Sequence, residues 1–185
     1  MSCCMYTRNM GIRQRSTETW CWKYRCAQRV GIVFIPAGLD SWKAAGASVH
    51  DDLGGRVIAT RLQVRDCQKR DVFIFLVSAY APVGNAEQGM CETFLDSLDK
   101  CLSRMERNEF LVIGVDTNSS MGVSVSDDHD QHLKPTGQFG AHHRNAAGER
   151  FASSLSISNM RAVTTLFKKK NYATWNHPRS KLPGR

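Results

Sequence analysis

A carboxylate and a carboxamide stand together at the end of an apolar run. Asp116 follows the run Phe-Leu-Val-Ile-Gly-Val, and Asn118 comes two residues later. At this spacing the two side chains lie on one side of an extended backbone. Their oxygens could hold a hard cation, or they could orient a water molecule for attack on phosphorus. The alternative interpretation is an Asx turn that ends the strand.

A phenol occupies a similar place at the end of another apolar run. Tyr80 follows Val-Phe-Ile-Phe-Leu-Val-Ser-Ala and precedes Ala81 and Pro82. There it could donate a hydrogen bond to a non-bridging phosphate oxygen, whereas packing at the rim of the core is the plainer interpretation. Ligands and catalytic groups gather at the carboxyl ends of strands, so Tyr80 and Asp116 are candidates for one site.

Two other stretches have side chains that could do chemistry. Trp175, His177 and Arg179 combine aromatic and basic groups near the end of the chain, a pattern that suits stacking on bases and pairing with phosphates. A solvated basic tail is the alternative. The acidic and histidine-rich residues 127–132 and the pair His142 and His143 are weaker metal candidates, since they stand in a polar loop.

Hydrophobic periodicity predicts the elements that position these groups. A hairpin is expected from residues 56–65 and 72–80, and an amphipathic helix from residues 87–107. A long loop at 117–145 precedes a short helix at 147–156. Further strands are predicted in four places: residues 30–35, 110–115, 162–165 and 172–175. Helices mixed with strands indicate an α/β or α+β class with layered sheets.

Composition and patterning exclude a collagen, a coiled coil, an integral membrane protein and a wholly disordered chain. The chain has 185 residues, of which 42% are hydrophobic, and its apolar runs fall well short of the roughly 18–20 residues that a membrane helix needs. The net charge of +8 is concentrated near the two ends, which suits a polyanionic partner such as nucleic acid. Seven cysteines without a signal peptide predict an intracellular protein, nuclear or cytoplasmic, with a mitochondrial location left open.

Four motifs in order resemble one known family. They are Gly-Arg-Val-Ile-Ala, Val-Ser-Ala-Tyr-Ala-Pro, Leu-Val-Ile-Gly-Val-Asp-Thr-Asn and Thr-Trp-Asn-His-Pro-Arg-Ser-Lys. They resemble the endonuclease/exonuclease/phosphatase family, most closely the apurinic-type endonuclease domains of non-LTR retrotransposons and the craniofacial-development-protein-2-like proteins. The resemblance implies a DNase I-like fold, a four-layer sandwich of two mixed β-sheets flanked by helices. Residues 29–185 would form an incomplete domain of this kind, after an unmatched extension at residues 1–28.

The resemblance also implies roles for particular residues. Tyr80 is similar to the family's active-site tyrosine, and Asp116 to the aspartate that orients or deprotonates the attacking water. Asn118 is similar to its partner at the metal and the scissile phosphate, so Asp116 and Asn118 would hold Mg²⁺, or Mn²⁺ in its place. Asn145 and Gly148 resemble the family's Asn-x-x-Gly segment. The residues implied to contact the substrate are Asn145, Trp175, His177 and Arg179.

Two family motifs have no counterpart in the chain: a Gln-Glu pair with the principal metal ligand, and a final Asp-His pair. The expectation is therefore weak Mg²⁺ binding, weak or absent DNA cleavage, and open sheet edges through which the chain could associate. No small-molecule cofactor and no membrane partner are expected. A non-catalytic nucleic-acid-binding or interaction remnant is the main alternative, and a phosphatase acting on lipid or small-molecule phosphates is a third.

Overall fold

The computed structural model describes residues 30–83, 88–123 and 134–170. The chain divides into two units: the first contains the described residues up to Pro82 and those from 88 to Asp116, and the second contains Val83 and the described residues from Thr117 onward. Helices and strands are mixed, as expected, and the described residues form one mixed sheet. No helix in the described ranges is long and apolar enough to cross a membrane.

The first unit is built on a four-stranded sheet with strand order β1-β2-β3-β4. The pairs β1–β2 and β2–β3 are antiparallel, and β3–β4 is parallel, as a helical crossover requires. Its elements are α1 (Pro36–Ala44), β1 (Val49–Asp52), β2 (Val57–Arg65), β3 (Asp71–Tyr80), α2 (Gln88–Leu102) and β4 (Glu109–Asp116). The second unit contains α3 (Ala146–Ile157) and a 3₁₀ turn at Val163–Thr165.

The predicted hairpin is confirmed as β2 and β3, paired from Val57 opposite Ala79 to Arg65 opposite Asp71. Asp66 fixes the connecting turn, because its Oδ1 accepts hydrogen bonds from the backbone N–H groups of Gln68 (2.8 Å) and Arg70 (2.9 Å). The predicted strand at 110–115 and helix at 147–156 are also confirmed, each with slightly wider bounds.

The sheet has an apolar layer on each face. On the first face, which includes Ile58 and Leu76, Ile32 is buried against Ile58. The second face includes Val57, Phe75 and Val77, each at most 1% exposed. Helix α2 covers the second face, and its buried residues recur every three or four positions: Phe94, Leu98 and Cys101. Burial and, after it, the charge of Asp52 raise the pKa of the Cys101 thiol to about 11, so this thiol stays protonated.

Residues 30–35 do not form the strand that their apolar, β-branched character predicts. Ile32 lies on the first face of the sheet and Val30 and Phe34 pack against the same cluster, so the segment covers the sheet instead of joining it. Pro36 then occupies the first turn of α1, where its missing N–H costs nothing. Periodicity detects the need for burial in such a segment and cannot tell a strand from a covering loop.

Two further predictions are corrected. The segment at 162–165, expected as a strand, ends in a 3₁₀ turn because both the N–H (2.9 Å) and the hydroxyl (2.6 Å) of Thr165 donate to the carbonyl oxygen of Ala162. Helix α2 ends at Leu102, five residues earlier than predicted. The carbonyl of Arg104 accepts a hydrogen bond from Arg61 instead of continuing the helix. The strand predicted at 172–175 lies outside the described residues.

Strand β4 forms one edge of the described sheet, since within the described ranges it pairs with β3 alone. Phe110 (63% exposed) and Val112 (48% exposed) project from the first face of this strand. An apolar edge strand of this kind is a surface through which sheets can associate. Association through open edges therefore remains a prediction.

His50 is a titratable group on the second face of the sheet. Its Nε2 is buried and has no hydrogen-bond partner within the described part of the chain. Burial, followed by the positive charges of Arg104 and Arg61, lowers the pKa of His50 from 6.5, and Asp52 partly opposes the shift. The folded first unit therefore favours neutral His50.

Acid is expected to destabilise the first unit through His50. Because the pKa is lowered on folding, the unfolded chain takes up this proton first as the pH falls. The contribution of His50 to the free energy of unfolding is complete above pH 6.5 and is lost as the pH falls from there towards the lowered pKa. Urea unfolding of wild type and His50→Gln, from neutral to mildly acidic pH, measures this contribution. The free energy of unfolding should fall more steeply with decreasing pH in wild type than in His50→Gln. Equal pH dependence in the two proteins would contradict the prediction.

Candidate functional site

Tyr80 and Asp116 lie side by side at the carboxyl ends of adjacent parallel strands. They are Cα partners in the β3–β4 register, and partners across a ladder project from the same face of the sheet. Asp116 is exposed and Tyr80 is half-buried. We call these two residues together with Arg56, which adjoins Tyr80, the strand-end site.

Backbone hydrogen bonds fix the ends of these strands. The N–H of Ala81 donates to the carbonyl oxygen of Asp116 (2.9 Å), so the β3–β4 ladder continues one step beyond the pair. The N–H of Tyr80 donates to the carbonyl oxygen of Arg56 (2.9 Å) on the other side. Ala81 and Pro82 are both buried. The backbone of the strand-end site is therefore held on both edges.

Arg56 is the third member of the site, and no role is predicted for it from the sequence. Its Nη1 donates to the carbonyl oxygen of Tyr80 (3.3 Å), and its guanidinium carbon lies 5.8 Å from the centroid of the Tyr80 ring. A signal for it existed, because β2 and β3 form a hairpin. The residue just before β2 must then lie opposite the last residue of β3.

The site combines an anionic oxygen donor, a phenol and a cation. The exposed carboxylate of Asp116 can orient a water molecule, accept its proton or bind a cation. The Tyr80 phenol can donate a hydrogen bond to an anionic oxygen, and a guanidinium favours negative charge nearby. This combination suits a phosphate ester, which has negative oxygens to be held and a phosphorus atom to be attacked.

Mg²⁺ binding at the strand-end site would depend on the oxygen donors there. Mg²⁺ prefers oxygen ligands and keeps several waters, so one or two carboxylates together with substrate oxygens can hold it. The exposed carboxylate of Asp116 fits this requirement. Within the described ranges, no group of three or more His, Cys, Asp and Glu side chains is placed to hold a metal ion. A single carboxylate could hold Mg²⁺ only weakly, with water filling most of the coordination sphere, and Mg²⁺ binding by Asp116 and Asn118 stays a prediction.

Asn118 belongs to the second unit, just after the end of β4. Its φ is +45°, in the left-handed region that asparagine tolerates better than most residues. The hydroxyl of neighbouring Thr117 lies 3.5 Å from the carbonyl oxygen of Ser119. These features are those of a tight turn. They do not test the predicted contact of Asn118 with a metal or a phosphate, which stays a prediction.

Asn145 has a structural role in the second unit. It is the N-cap of α3, and its Oδ1 accepts hydrogen bonds from the N–H groups of Gly148 (2.8 Å) and Ser120 (3.3 Å). Its own N–H donates to the carbonyl oxygen of Ser120 (3.2 Å). The Asn-x-x-Gly spacing is thus explained by capping, since an N-cap side chain reaches the third helical residue. Substrate contact by Asn145 stays a prediction.

The remaining candidate residues lie outside the described residues or in the second unit. Trp175, His177 and Arg179 lie outside the described residues, as do the acidic and histidine residues 127–132. His142 and His143 are exposed, and the backbone carbonyl of His143 accepts a hydrogen bond from the Ser120 hydroxyl. The strand-end site therefore rests on Arg56, Tyr80 and Asp116.

The chain was compared with protein-family models, with curated proteins and with solved structures, and none of them matched. The resemblance to the endonuclease/exonuclease/phosphatase family accordingly rests on the four motifs. The geometry of the strand-end site is independent of that resemblance, because it follows from the register of β3 and β4.

Proposed function

We propose that the chain is a metal-dependent phosphodiester hydrolase of the endonuclease type, acting on DNA and derived from a retroelement. The observation that supports it most is the register of β3 and β4, in which Tyr80 and Asp116 are Cα partners whose side chains project from the same face at one end of the sheet. Both residues come from motifs that resemble the endonuclease/exonuclease/phosphatase family.

In the proposed reaction Tyr80 contacts the phosphate, and Asp116 serves both the attacking water and the metal. Asp116, an exposed residue at the strand end, orients the attacking water and accepts its proton. Tyr80 donates a hydrogen bond to a non-bridging oxygen of the phosphate, whose negative charge grows in the transition state. Mg²⁺, when bound, neutralises phosphate charge, and Asp116 is the described residue that would hold it.

We expect the activity to be weak. A metal held by few protein ligands depends on water and on the substrate for the rest of its coordination sphere, which lowers its occupancy. Electrostatic stabilisation of the transition state is often the largest catalytic contribution, and removal of one donor costs about 10²–10³ in kcat. Asp116 and Tyr80 alone would therefore give slow turnover.

A DNase I-like arrangement of two packed sheets is the fold that we propose with this function. It is supported by the first face of β4, where Phe110 and Val112 are 63% and 48% exposed. Packed sheets bury apolar side chains of this kind between their inner faces.

Asp116→Ala is expected to slow Mg²⁺-dependent nicking of supercoiled DNA by about 10²-fold or more relative to wild type, because the general base is removed. Asp71→Ala is the matched control. Asp71 is also an exposed strand aspartate, but it lies at the opposite end of β3, where it pairs with Arg65. The assay measures conversion of supercoiled to open circular plasmid with Mg²⁺, with Mn²⁺ and with a chelator.

Equal nicking by wild type and Asp116→Ala, or nicking that resists the chelator, would contradict the proposal. A second candidate, nucleic-acid binding without catalysis, is favoured by the net charge of +8 and by the exposed run of lysines at 168–170. It predicts salt-sensitive DNA binding that needs no metal and survives Asp116→Ala. Such binding without cleavage in either metal would support this second candidate.

A further inference from the structure

One arginine contacts Tyr80 at three points. The carbonyl oxygen of Arg56 accepts the Tyr80 N–H (2.9 Å), and its Nη1 donates to the Tyr80 carbonyl oxygen (3.3 Å). The guanidinium also lies over the Tyr80 ring, 5.8 Å from its centroid. Backbone and side chain of Tyr80 are thus both constrained by the same residue.

The two residues before Arg56 allow the turn that leads into this placement. Two glycines before it have positive φ, +63° at Gly54 and +90° at Gly55, a conformation that glycine adopts without strain. They turn the chain from β1 into β2, so that Arg56 enters the ladder directly opposite the end of β3. Gly55 also accepts a hydrogen bond from the N–H of Val30 (2.9 Å), which anchors the turn.

We propose that Arg56 is a positioning residue that fixes the orientation of the Tyr80 phenol at the strand-end site. This inference rests on the proposed function, since it concerns the phosphate contact assigned to Tyr80. A phenol at the end of a strand can swing about its side-chain torsions, and a misplaced donor stabilises the transition state less. The guanidinium over the ring face restricts that movement and is bound to the same residue's carbonyl.

A lysine could not take over this role. The planar guanidinium can lie over the ring while it donates to the carbonyl, whereas an ammonium is a compact, strongly hydrated charge on a flexible stem. Arg56→Lys therefore separates the two possible roles of Arg56. It keeps the positive charge that a phosphate would attract but loses the simultaneous contact with the ring and the carbonyl oxygen that holds Tyr80.

A double-mutant cycle on the nicking rate tests the coupling. Arg56→Ala and Tyr80→Phe should each slow nicking by a similar factor, and the double variant should be no slower than the slower single variant. Arg56→Lys should remain close to Arg56→Ala. Losses that multiply in the double variant, or full recovery in Arg56→Lys, would overturn the inference. Arg65→Ala, at the far end of β2, is the control.

A spectroscopic signature tests the positioning without any DNA cleavage. The chain has four tyrosines, and Tyr80→Phe identifies the Tyr80 ring signal in carbon–proton spectra of tyrosine-labelled protein. That signal should move in Arg56→Ala and Arg56→Lys and stay in place in Arg65→Ala. An unmoved Tyr80 signal would overturn the inference whatever the nicking assay gives. A moved signal in a chain that does not cleave DNA would refute the proposed function alone.

Discussion

Replacement of Glu109 by alanine is expected to destabilise the first unit by about 3 kcal/mol, the lower end of the cost of breaking a buried ion pair. Glu109 is 8% exposed, and its Oε1 lies 2.5 Å from Nε of Arg61. Its Oε2 accepts from the backbone N–H of Glu106 (2.8 Å), so the carboxylate also holds the turn before β4. Alanine would remove both interactions at once.

The expected loss of stability in Glu109→Ala is at the lower end of the range for a broken buried ion pair, because Arg61 keeps other partners. Its Nη2 donates to the carbonyl oxygen of Arg104 (2.6 Å) and lies 3.3 Å from Oε1 of Glu106. The guanidinium carbon also lies 5.3 Å from the centroid of the Phe75 ring. An arginine left without any partner would cost considerably more than one that is still partly satisfied.

Glu106→Ala is the matched control for this prediction. Glu106 pairs with the same arginine, but its side chain is 76% exposed, and exposed ion pairs contribute about 0–1 kcal/mol. Hydrogen exchange of peptides from β2 and β3 reports on the first unit by itself, and urea unfolding gives the free energy. Similar losses of stability in Glu106→Ala and Glu109→Ala would show that burial of the ion pair has little effect on the free energy of unfolding.

The parts of the fold that sequence periodicity could predict are those with one regular buried face. The three- and four-residue spacing of Phe94, Leu98 and Cys101 in α2 is a direct consequence of which side of the helix is buried. Glu109 shows what hydrophobic periodicity cannot predict. The apolar run at 110–115 hides the fact that β4 begins one residue earlier with a charged side chain.

Strand β1 could not be predicted, because its stability comes from tertiary contacts. Its sequence, Val-His-Asp-Asp, has no apolar alternation and low strand propensity. Asp52 lies 2.6 Å from Nη1 of Arg104 and 3.4 Å from Nζ of Lys100, so β1 is held to α2 and the residues after it by charge. Partners so far apart along the chain leave no local pattern to recognise.

The candidate site was predictable in part. A helix between two buried strands implies a parallel pair, and the carboxyl ends of parallel strands meet at one edge, which is where Tyr80 and Asp116 lie. The contact of Arg56 with Tyr80 depends on the hairpin register and on the rotamer of a long side chain. The position of Arg56 opposite Tyr80 follows from the hairpin, but the rotamer that brings its guanidinium over the ring cannot be derived from residue types and spacing.

Replacement of Gly148 by alanine is expected to destabilise the second unit by about 3 kcal/mol, the upper end of the usual cost of overpacking. An added Cβ would overlap the carbonyl oxygen of Ser120 and approach its carbonyl carbon to 2.7 Å and Oδ1 of Asn145 to 3.2 Å. Ser120 cannot easily retreat, because its N–H and carbonyl oxygen are both hydrogen-bonded to Asn145. The added methyl group therefore meets backbone, which yields less readily than a side chain.

Gly89→Ala is the control for Gly148→Ala, since both glycines lie near the start of a helix. A Cβ at Gly89 would meet no atom within 4 Å, so alanine there should leave stability unchanged or raise it by up to about 1 kcal/mol through helix propensity. Hydrogen exchange of peptides from α3 for Gly148→Ala, and from α2 for Gly89→Ala, measures the two effects separately. Unchanged protection of α3 in Gly148→Ala would mean that Ser120 and Asn145 can shift to make room for the added methyl group. The hydrogen bonds of Asn145 at the start of α3 would then contribute little to the stability of the second unit.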